Sequence, residues 1–322
     1  MFQVRHLHIP RPSRKHIVLG SLGTGIVSVG LMVAVAFFIE ETITHPKKKT
    51  PFDRYTISPY ELDIPAEAVT FPPLCGDYQV KGWYMSHINA TTTILVCPGF
   101  HTRASDVLAM GAHLWKAGHN VLVFEFYGHG DAGGTPVTLG YCEVNDFEGA
   151  VAYAKKRAPR TYLGVLAYSM GAAVAIMCSA CNNDIAAVVA DSSCASHKSA
   201  VDYNFHHALR LPSAPFMWLA DYLLWWRAGY RFRQVEPLRD VGEISPRPLL
   251  IIHGAQDSIV NPRDAIRLFE AAREPKALWL VPDADHCGAY FADRKAYVAK
   301  VIDFFDMHLK KVRPRSRLAG SS

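Results

Sequence analysis

Six short runs of the chain are continuously rather than alternately apolar, Thr93 apart: Thr93–Val96, Val121–Phe124, Leu163–Leu166, Ala187–Ala190, Leu249–Ile252 and Leu278–Val281. A strand of that kind has both faces out of water, the condition of a parallel sheet covered by helices on both sides. Helical signals lie between most of the runs. Ser105 is placed to cap a helix that stops near Gly118, and Asn261 before Pro262 reads as an N-cap with proline at the first helical position. Tyr297, Val301, Phe304, Phe305 and Leu309 share one stripe of a helix over 293–309. Val69–Phe71 and Tyr78–Tyr84 suggest an antiparallel pair at the start. The alternation predicts a doubly wound α/β domain, mostly parallel, over residues 67–312. Half of the 322 residues are hydrophobic and a fifth are charged, so there is ample material for such a core and no case for a disordered chain.

The net charge of +5 looks like a signal for nucleic acid until it is localised. Arg5, Arg11, Arg14 and Lys15 lie in residues 1–16, and Lys310, Lys311, Arg313, Arg315 and Arg317 at the other end, with no acid in either stretch. Those nine charges exceed the net excess and leave a body of −4, so a basic nucleic-acid groove is not expected there. The tails, 1–16 and 313–322, read as solvated ends that could touch anionic lipid. Seven scattered cysteines do not describe a disulfide framework. Cys178-x-x-Cys181 has no second pair to complete a zinc site and reads as helix packing.

Ile17 to Ile39 carries no charge over 23 residues, enough to cross a bilayer core of roughly 30 Å at about 1.5 Å per residue. Ala34-Val35-Ala36 resembles a signal-peptide cleavage site, but the apolar run is long for such a segment and continues to Ile39. An uncleaved single-pass anchor contacting membrane lipid is expected. Its orientation is left open, because four basic residues precede the span and Lys47, Lys48, Lys49 and Arg54 follow it. Residues 40–66, with four prolines, read as a linker.

One interval breaks the strand–helix alternation. About 55 residues separate Asp191 from Leu249, too many for one crossover helix. An insertion over about 195–245 is expected, and its aromatic segment, with Trp218, Tyr222, Trp225 and Trp226, has more than one apolar face. A helical lid over a substrate pocket would occupy the second face, which makes these four residues candidates for substrate binding.

The chemistry is concentrated at strand ends. Gly164 to Ala173 runs from a buried strand into a small-residue helix with Ser169 at the turn, and Ala167 and Gly171 lie two residues to either side. That is the context of a nucleophile elbow, whose tightness demands small flanking residues. A serine hydroxyl needs a base, and the base needs an orienting acid. Asp257 follows the strand ending at Ile252, and His286 follows the next strand. Each of the three stands past the carboxyl end of its own strand, where the loops of a parallel sheet converge. The strand ending at Cys97 enters Pro98-Gly99-Phe100, so the N–H groups of Phe100 and Met170 are the candidates to hold an oxyanion. Asp283 and Asp285 stand too close to His286 along the chain to reach its Nδ1. His129 reads as structural, Cys287 as packing, and the spacing His101-x-x-x-x-Asp106 as a helix start rather than an acyltransferase motif.

These residues, with Tyr127-Gly128-His129-Gly130, Thr138-Leu139-Gly140-x-x-Glu143-x-x-Asp146, His253-Gly254-x-x-Asp257 and Asp285-His286, resemble the α/β-hydrolase superfamily over about residues 68–309. Within it the likeness is to membrane-anchored serine hydrolases of the serine-aminopeptidase-like or lysophospholipase-like group. The resemblance implies acyl-bond hydrolysis by Ser169, His286 and Asp257 with no metal or organic cofactor. It leaves the substrate open, because the same fold carries esterases, lipases, thioesterases, peptidases and non-catalytic members. An apolar carboxylic ester is the expectation, with a peptidase or thioesterase on the same triad, or a non-catalytic binding module of the fold, as alternatives.

Overall fold

In a computed structural model of the chain, residues 30–45, 57–130, 134, 137–209 and 213–310 are described. A helix, α1, covers residues 30–44. The strands and helices that follow are β1 (Glu67–Phe71), β2 (Val80–Met85), β3 (Thr92–Cys97), α2 (Ala104–Lys116), β4 (Asn120–Glu125), α3 (Glu143–Arg157), β5 (Tyr162–Tyr168), α4 (Met170–Cys181) and β6 (Ile185–Asp191). The remainder comprises α5 (His197–Leu209), α6 (Ala214–Ala228), α7 (Pro237–Asp240), β7 (Leu249–Gly254), α8 (Pro262–Ala271), β8 (Lys276–Val281), α9 (Ala289–Ala292) and α10 (Arg294–Phe305). All eight strands form one sheet in the order β1-β2-β4-β3-β5-β6-β7-β8. The β1–β2 and β2–β4 pairs are antiparallel and the other pairs parallel.

The six continuous apolar runs are β3 to β8. Every residue of β3, β4 and β7 is buried, as two-sided coverage requires, whereas β8, at the sheet edge, is largely half-buried. One core lies between the sheet and α3, α4 and α8, and holds Phe124, Phe147, Val165 and Ile251. The other lies on the opposite face against α2 and α10, with Leu108, Leu114, Tyr297, Val301, Phe305 and Leu309. Asn261 caps α8 as predicted, accepting the Arg263 N–H at 3.0 Å. Ser105 does not cap α2. Arg103 is its N-cap residue, and the Asp106 carboxylate accepts the Arg103 N–H at 2.8 Å, so an acid in the first turn satisfies the helix start.

The insertion between β6 and β7 is built from α5, α6 and α7. A third apolar cluster joins it to α1, with Ala36, Ile39 and Ile43 among Phe205, Met217, Ala220 and Leu224. The expected apolar span of residues 17–39 lies outside the described residues except for 30–39, which form the start of α1. Among the described residues no helix is long and apolar enough to cross a membrane. The helix continues past Ile39 into the segment expected to be linker. Glu40, buried there, is paired with Arg227 of α6 and accepts the Thr44 hydroxyl at 3.1 Å, so polar groups as well as apolar ones hold this turn in place.

Candidate active site

The β5–α4 turn carries Ser169 in a conformation that L residues seldom adopt, φ 52° and ψ −119°. Two backbone bonds over-determine it: Ser169 N–H donates to the Asp191 carbonyl at 2.8 Å, and its own carbonyl accepts from Ala173 at 3.1 Å. Strain of this kind lifts the side chain clear of both strand and helix. The flanking residues are small for a measurable reason. A Cβ on Gly171 would stand 2.3 Å from the Pro98 carbonyl oxygen, a backbone atom that cannot swing aside. Gly171→Ala is therefore expected to cost about 3 kcal/mol, lowering Tm by roughly 6 °C in a domain of this size. A variant that melts within about 2 °C of the wild type would show that the turn relaxes freely.

Ser169 Oγ and His286 Nε2 are 2.8 Å apart, and His286 Nδ1 lies 2.7 Å from Asp257 Oδ2. A carboxylate has only acceptors, so Nδ1 carries the ring proton and the Nε2 lone pair faces the serine hydroxyl. Asp257 is held from four directions. Its Oδ1 accepts the N–H groups of Ile259 and Val260 at 2.9 and 2.7 Å. Its Oδ2 also meets Nε2 of the buried His253 at 3.1 Å. Burial by itself would raise this carboxyl. The hydrogen bonds from His253 and His286, the His286 charge and the Val260 N–H outweigh it and hold the group well below the usual carboxylate range. Asp285 does another job: its carboxylate accepts the backbone N–H groups of Ser258 and His286 at 2.8 and 2.7 Å, tying the two loops together. Those bonds, with the Ser258 hydroxyl, hold Asp285 below its ordinary range.

A second buried acid lies under the site. Asp191, at the end of β6, accepts from Tyr297 Oη at 2.8 Å and from the Ser192 hydroxyl at 3.0 Å, and Ser192 Oγ in turn accepts the Cys287 N–H at 3.0 Å. Its carboxyl is raised by burial. The network anchors the residue next to His286, at a position where Cys287 adopts φ 51°. The sequence marks Asp191 only as a strand end, and His253 only as part of the His253-Gly254-x-x-Asp257 motif. Each stands one residue past, or within, an apolar run, where a polar group reads as the end of a strand.

The predicted oxyanion donors, Phe100 and Met170, both line the cavity that Ser169 opens into. Among the described residues neither N–H is engaged by a protein acceptor. The β3 loop sits directly against the nucleophile turn, since a Cβ on Gly99 would be 3.1 Å from Ser169 Cβ. The motif from Thr138 to Asp146 is structural. Glu143 accepts Thr138 N–H, Thr138 Oγ1 and Gly140 N–H at 2.9, 2.6 and 2.8 Å, which brackets Leu139, itself in the cavity wall. Asp146 accepts Tyr127 N–H and Tyr78 Oη, both at 2.7 Å. Burial raises Asp146 to about 6 despite these bonds. For an acid raised above its unfolded value near 4, the folded state holds the extra proton, so stability is greatest below pH ~4 and falls as pH climbs to ~6. Relative to Asp146→Asn, the wild type should lose up to about 3 kcal/mol across that window and nothing further above it. Parallel Tm–pH curves for the two proteins from pH 4 to 7 would overturn this.

The cavity has a volume of about 560 Å3. Its walls come from α1 (Val35, Ile39, Ile43), the start of α4 (Met170, Ala173), α5 (Ala200, Val201, Phe205) and the loop after β7 (Ile259, Val260). Trp218, Tyr222, Trp225 and Trp226 are not among the residues that line it. They share one stripe of α6 that faces outward, with Trp218 73% and Trp226 65% exposed. The reading of two apolar faces holds, but the inward one is Met217, Ala220 and Leu224, packed with α1. Sequence periodicity marks the faces of a helix without saying which neighbour each will meet, and α1 took the place assigned to substrate. Tyr203 of α5 donates to the Asp257 carbonyl at 3.0 Å and Asn204 to the Ile259 carbonyl at 2.6 Å, so α5, rather than α6, is fastened over the acid loop.

This strand order, with three antiparallel-to-parallel strands leading into a sheet that carries the serine on the β5–α4 turn, has many counterparts. An esterase of Pyrococcus furiosus, Pf2001, superposes with a TM-score of 0.67 at 22% identity, over 82% of this chain and all of that one. The α/β hydrolase GrgF of a Penicillium species gives 0.58 at 17% identity, over 77% and 100% of the two chains. The chain has the α/β-hydrolase fold. Residues 88–230 match the family model described as serine aminopeptidase, S33. By sequence the chain is 28% identical over 296 residues to the uncharacterized protein YqkD of Bacillus subtilis, covering 90% of this chain and 96% of that protein. It is 27% identical to the uncharacterized protein YfhR of Escherichia coli K12, covering 74% and 80%.

Proposed function

We propose that the protein is a membrane-tethered serine hydrolase of carboxylic esters with an apolar acyl part. One observation carries the reading: Ser169, His286 and Asp257 form a single hydrogen-bonded line that ends at an apolar cavity. Ser169 Oγ attacks the ester carbonyl while His286 Nε2 takes its proton, and Asp257 fixes the tautomer and stabilises the imidazolium. The Phe100 and Met170 N–H groups hold the oxyanion. His286 then protonates the departing alcohol, and water, activated by the same imidazole, releases the acid and frees the serine. An aminopeptidase would need a carboxylate to receive the free amino group of its substrate. Among the described residues that line the cavity there is no Asp or Glu, which favours an ester or thioester over a peptide. The tether rests on the uncharged length of residues 17–39.

Esters of p-nitrophenol with acyl chains of about two to twelve carbons test this reading. Each methylene moved from water to the cavity is worth up to about 0.8 kcal/mol, so kcat/KM should climb severalfold per carbon until the cavity fills. Acyl thioesters and aminoacyl-p-nitroanilides run alongside separate the two alternatives. A flat chain-length profile, or faster cleavage of the anilides, would defeat the proposal.

A further inference from the structure

We propose that the outward aromatic face of α6 and the outward residues of α1 form one lipid-contacting surface, which sets the mouth of the Ser169 cavity against a bilayer so that the acyl substrate enters from the lipid. This deepens the ester-hydrolase reading and rests on it for the cargo, though not for the surface itself.

Trp218, Tyr222, Trp225 and Trp226 recur at intervals of four, three and one, a single stripe of large rings left in water. Scattered surface rings are ordinary, but a contiguous stripe of this size marks a binding surface. Three features of the chain point to lipid as its occupant. First, α6 packs its other face on α1, and α1 is the continuation of the uncharged segment that begins at Ile17, so the stripe is joined to the most lipophilic sequence in the protein. α1 adds its own exposed Leu31, Val33, Phe37 and Phe38. Second, the composition is that of a membrane interface: tryptophan and tyrosine, with arginines beside the rings. Arg231 lies over the Trp225 ring at 5.1 Å and Arg227 over Phe37 at 5.7 Å, each also bound to an acid, Asp221 or Glu40, so the cations are held beside the rings instead of projecting into water. Third, the cavity opens on the same helix. Of its wall residues Phe38 is 72% exposed and Ile259 46%, which puts the mouth between α1 and the loop after β7. A chain leaving the bilayer beside α1 would pass from one apolar surface to another without crossing water.

The test uses the full-length protein in phosphatidylcholine vesicles whose acyl chains are brominated near the middle. Bromine quenches only tryptophans that meet lipid. Three of the chain's six tryptophans lie on the stripe, so quenching in the wild type should be at least about twice that of Trp218→Phe/Trp225→Phe/Trp226→Phe, which keeps apolar rings and the fold. In a second arm, Trp218→Glu/Trp226→Glu should slow hydrolysis of a long-chain ester dissolved in the vesicles by about tenfold or more, while leaving a water-soluble acetate ester unchanged. Equal quenching in wild type and triple variant overturns the proposal. So does a detergent-solubilised dimer that the glutamates convert to monomer without any lipid quenching, which would assign the stripe to a second copy of the chain. If the wild type hydrolyses neither ester, the ester-hydrolase reading fails, and the quenching comparison still decides whether the stripe meets lipid.

Discussion

Ser169→Ala is expected to abolish covalent labelling by a fluorophosphonate and to lower kcat on p-nitrophenyl esters by a factor on the order of 10^4 to 10^6. The labelling chemistry requires a nucleophile whose proton can leave as the bond forms. The only hydroxyl within reach of His286 Nε2 among the described residues is Ser169, at 2.8 Å. Alanine has its Cβ where serine has its own, so the packing against Gly99 is unchanged. The φ of 52° at this position is costly for serine and alanine alike, so Tm should move by no more than a few degrees. Residual hydrolysis should persist, because Phe100, Met170 and the cavity still bind the ester and its developing charge. Mass spectrometry of the labelled tryptic peptide gives the direct readout. Full labelling of the alanine variant would mean that another residue is the nucleophile and would overturn the site built here.

Asp257→Asn should lower kcat by about 10^4 with a smaller change in KM. An amide can present its NH2 group to His286 Nδ1, which then becomes the acceptor. The ring proton moves to Nε2, where it faces Ser169 and blocks proton removal. Here the carboxylate has a second imidazole to satisfy, because His253 Nε2 shares Oδ2 at 3.1 Å in a fully buried setting. Asparagine cannot accept from both rings on that side, so some loss of stability is expected as well, on the order of 1–3 kcal/mol. The acid branch of the wild-type pH–rate curve should not belong to Asp257. Its folded value lies below its unfolded one, so its contribution to stability is complete above pH ~4 and is lost only as pH falls through that lower value. Titration of kcat/KM and of Tm between pH 3 and 9 separates the two effects. A variant that keeps more than about a tenth of wild-type kcat would assign the orienting role to another acid, with the buried Asp191 as a candidate.

Local sequence carried most of what places the site. Continuous apolar runs become β3 to β8 because a parallel sheet covered on both faces takes apolar side chains along the middle of each strand and leaves polar ones to the strand ends. Ser169, Asp257 and His286 could be picked out because the chemistry needs those residue types at strand ends, and a parallel sheet gathers those ends along one edge. Gly171 was legible for a similar reason, as a turn that tight leaves no room for a Cβ. None of this depends on how distant segments meet.

What sequence could not settle was always a choice between partners. The aromatic segment of α6 displays two apolar faces, and either could have turned inward. The fold decided it when α1, far away along the chain, buried Ala36, Ile39 and Ile43 against Met217, Ala220 and Leu224, which left Trp218, Tyr222, Trp225 and Trp226 outside. The same docking made α1 a wall of the cavity, although its sequence reads only as an apolar span. Asp191 is legible only as a strand end, because a buried polar residue is recognisable by what it touches and its partner, Tyr297, belongs to another segment. His253 stands four residues before Asp257 and falls within the same motif, but that its ring shares Oδ2 with His286 is a fact of the fold. Periodicity and turn chemistry are properties of neighbours in sequence. The shape of the cavity and the Tyr297–Asp191 contact beneath the site depend on residues tens to nearly two hundred positions apart, and those contacts exist only once the chain has folded.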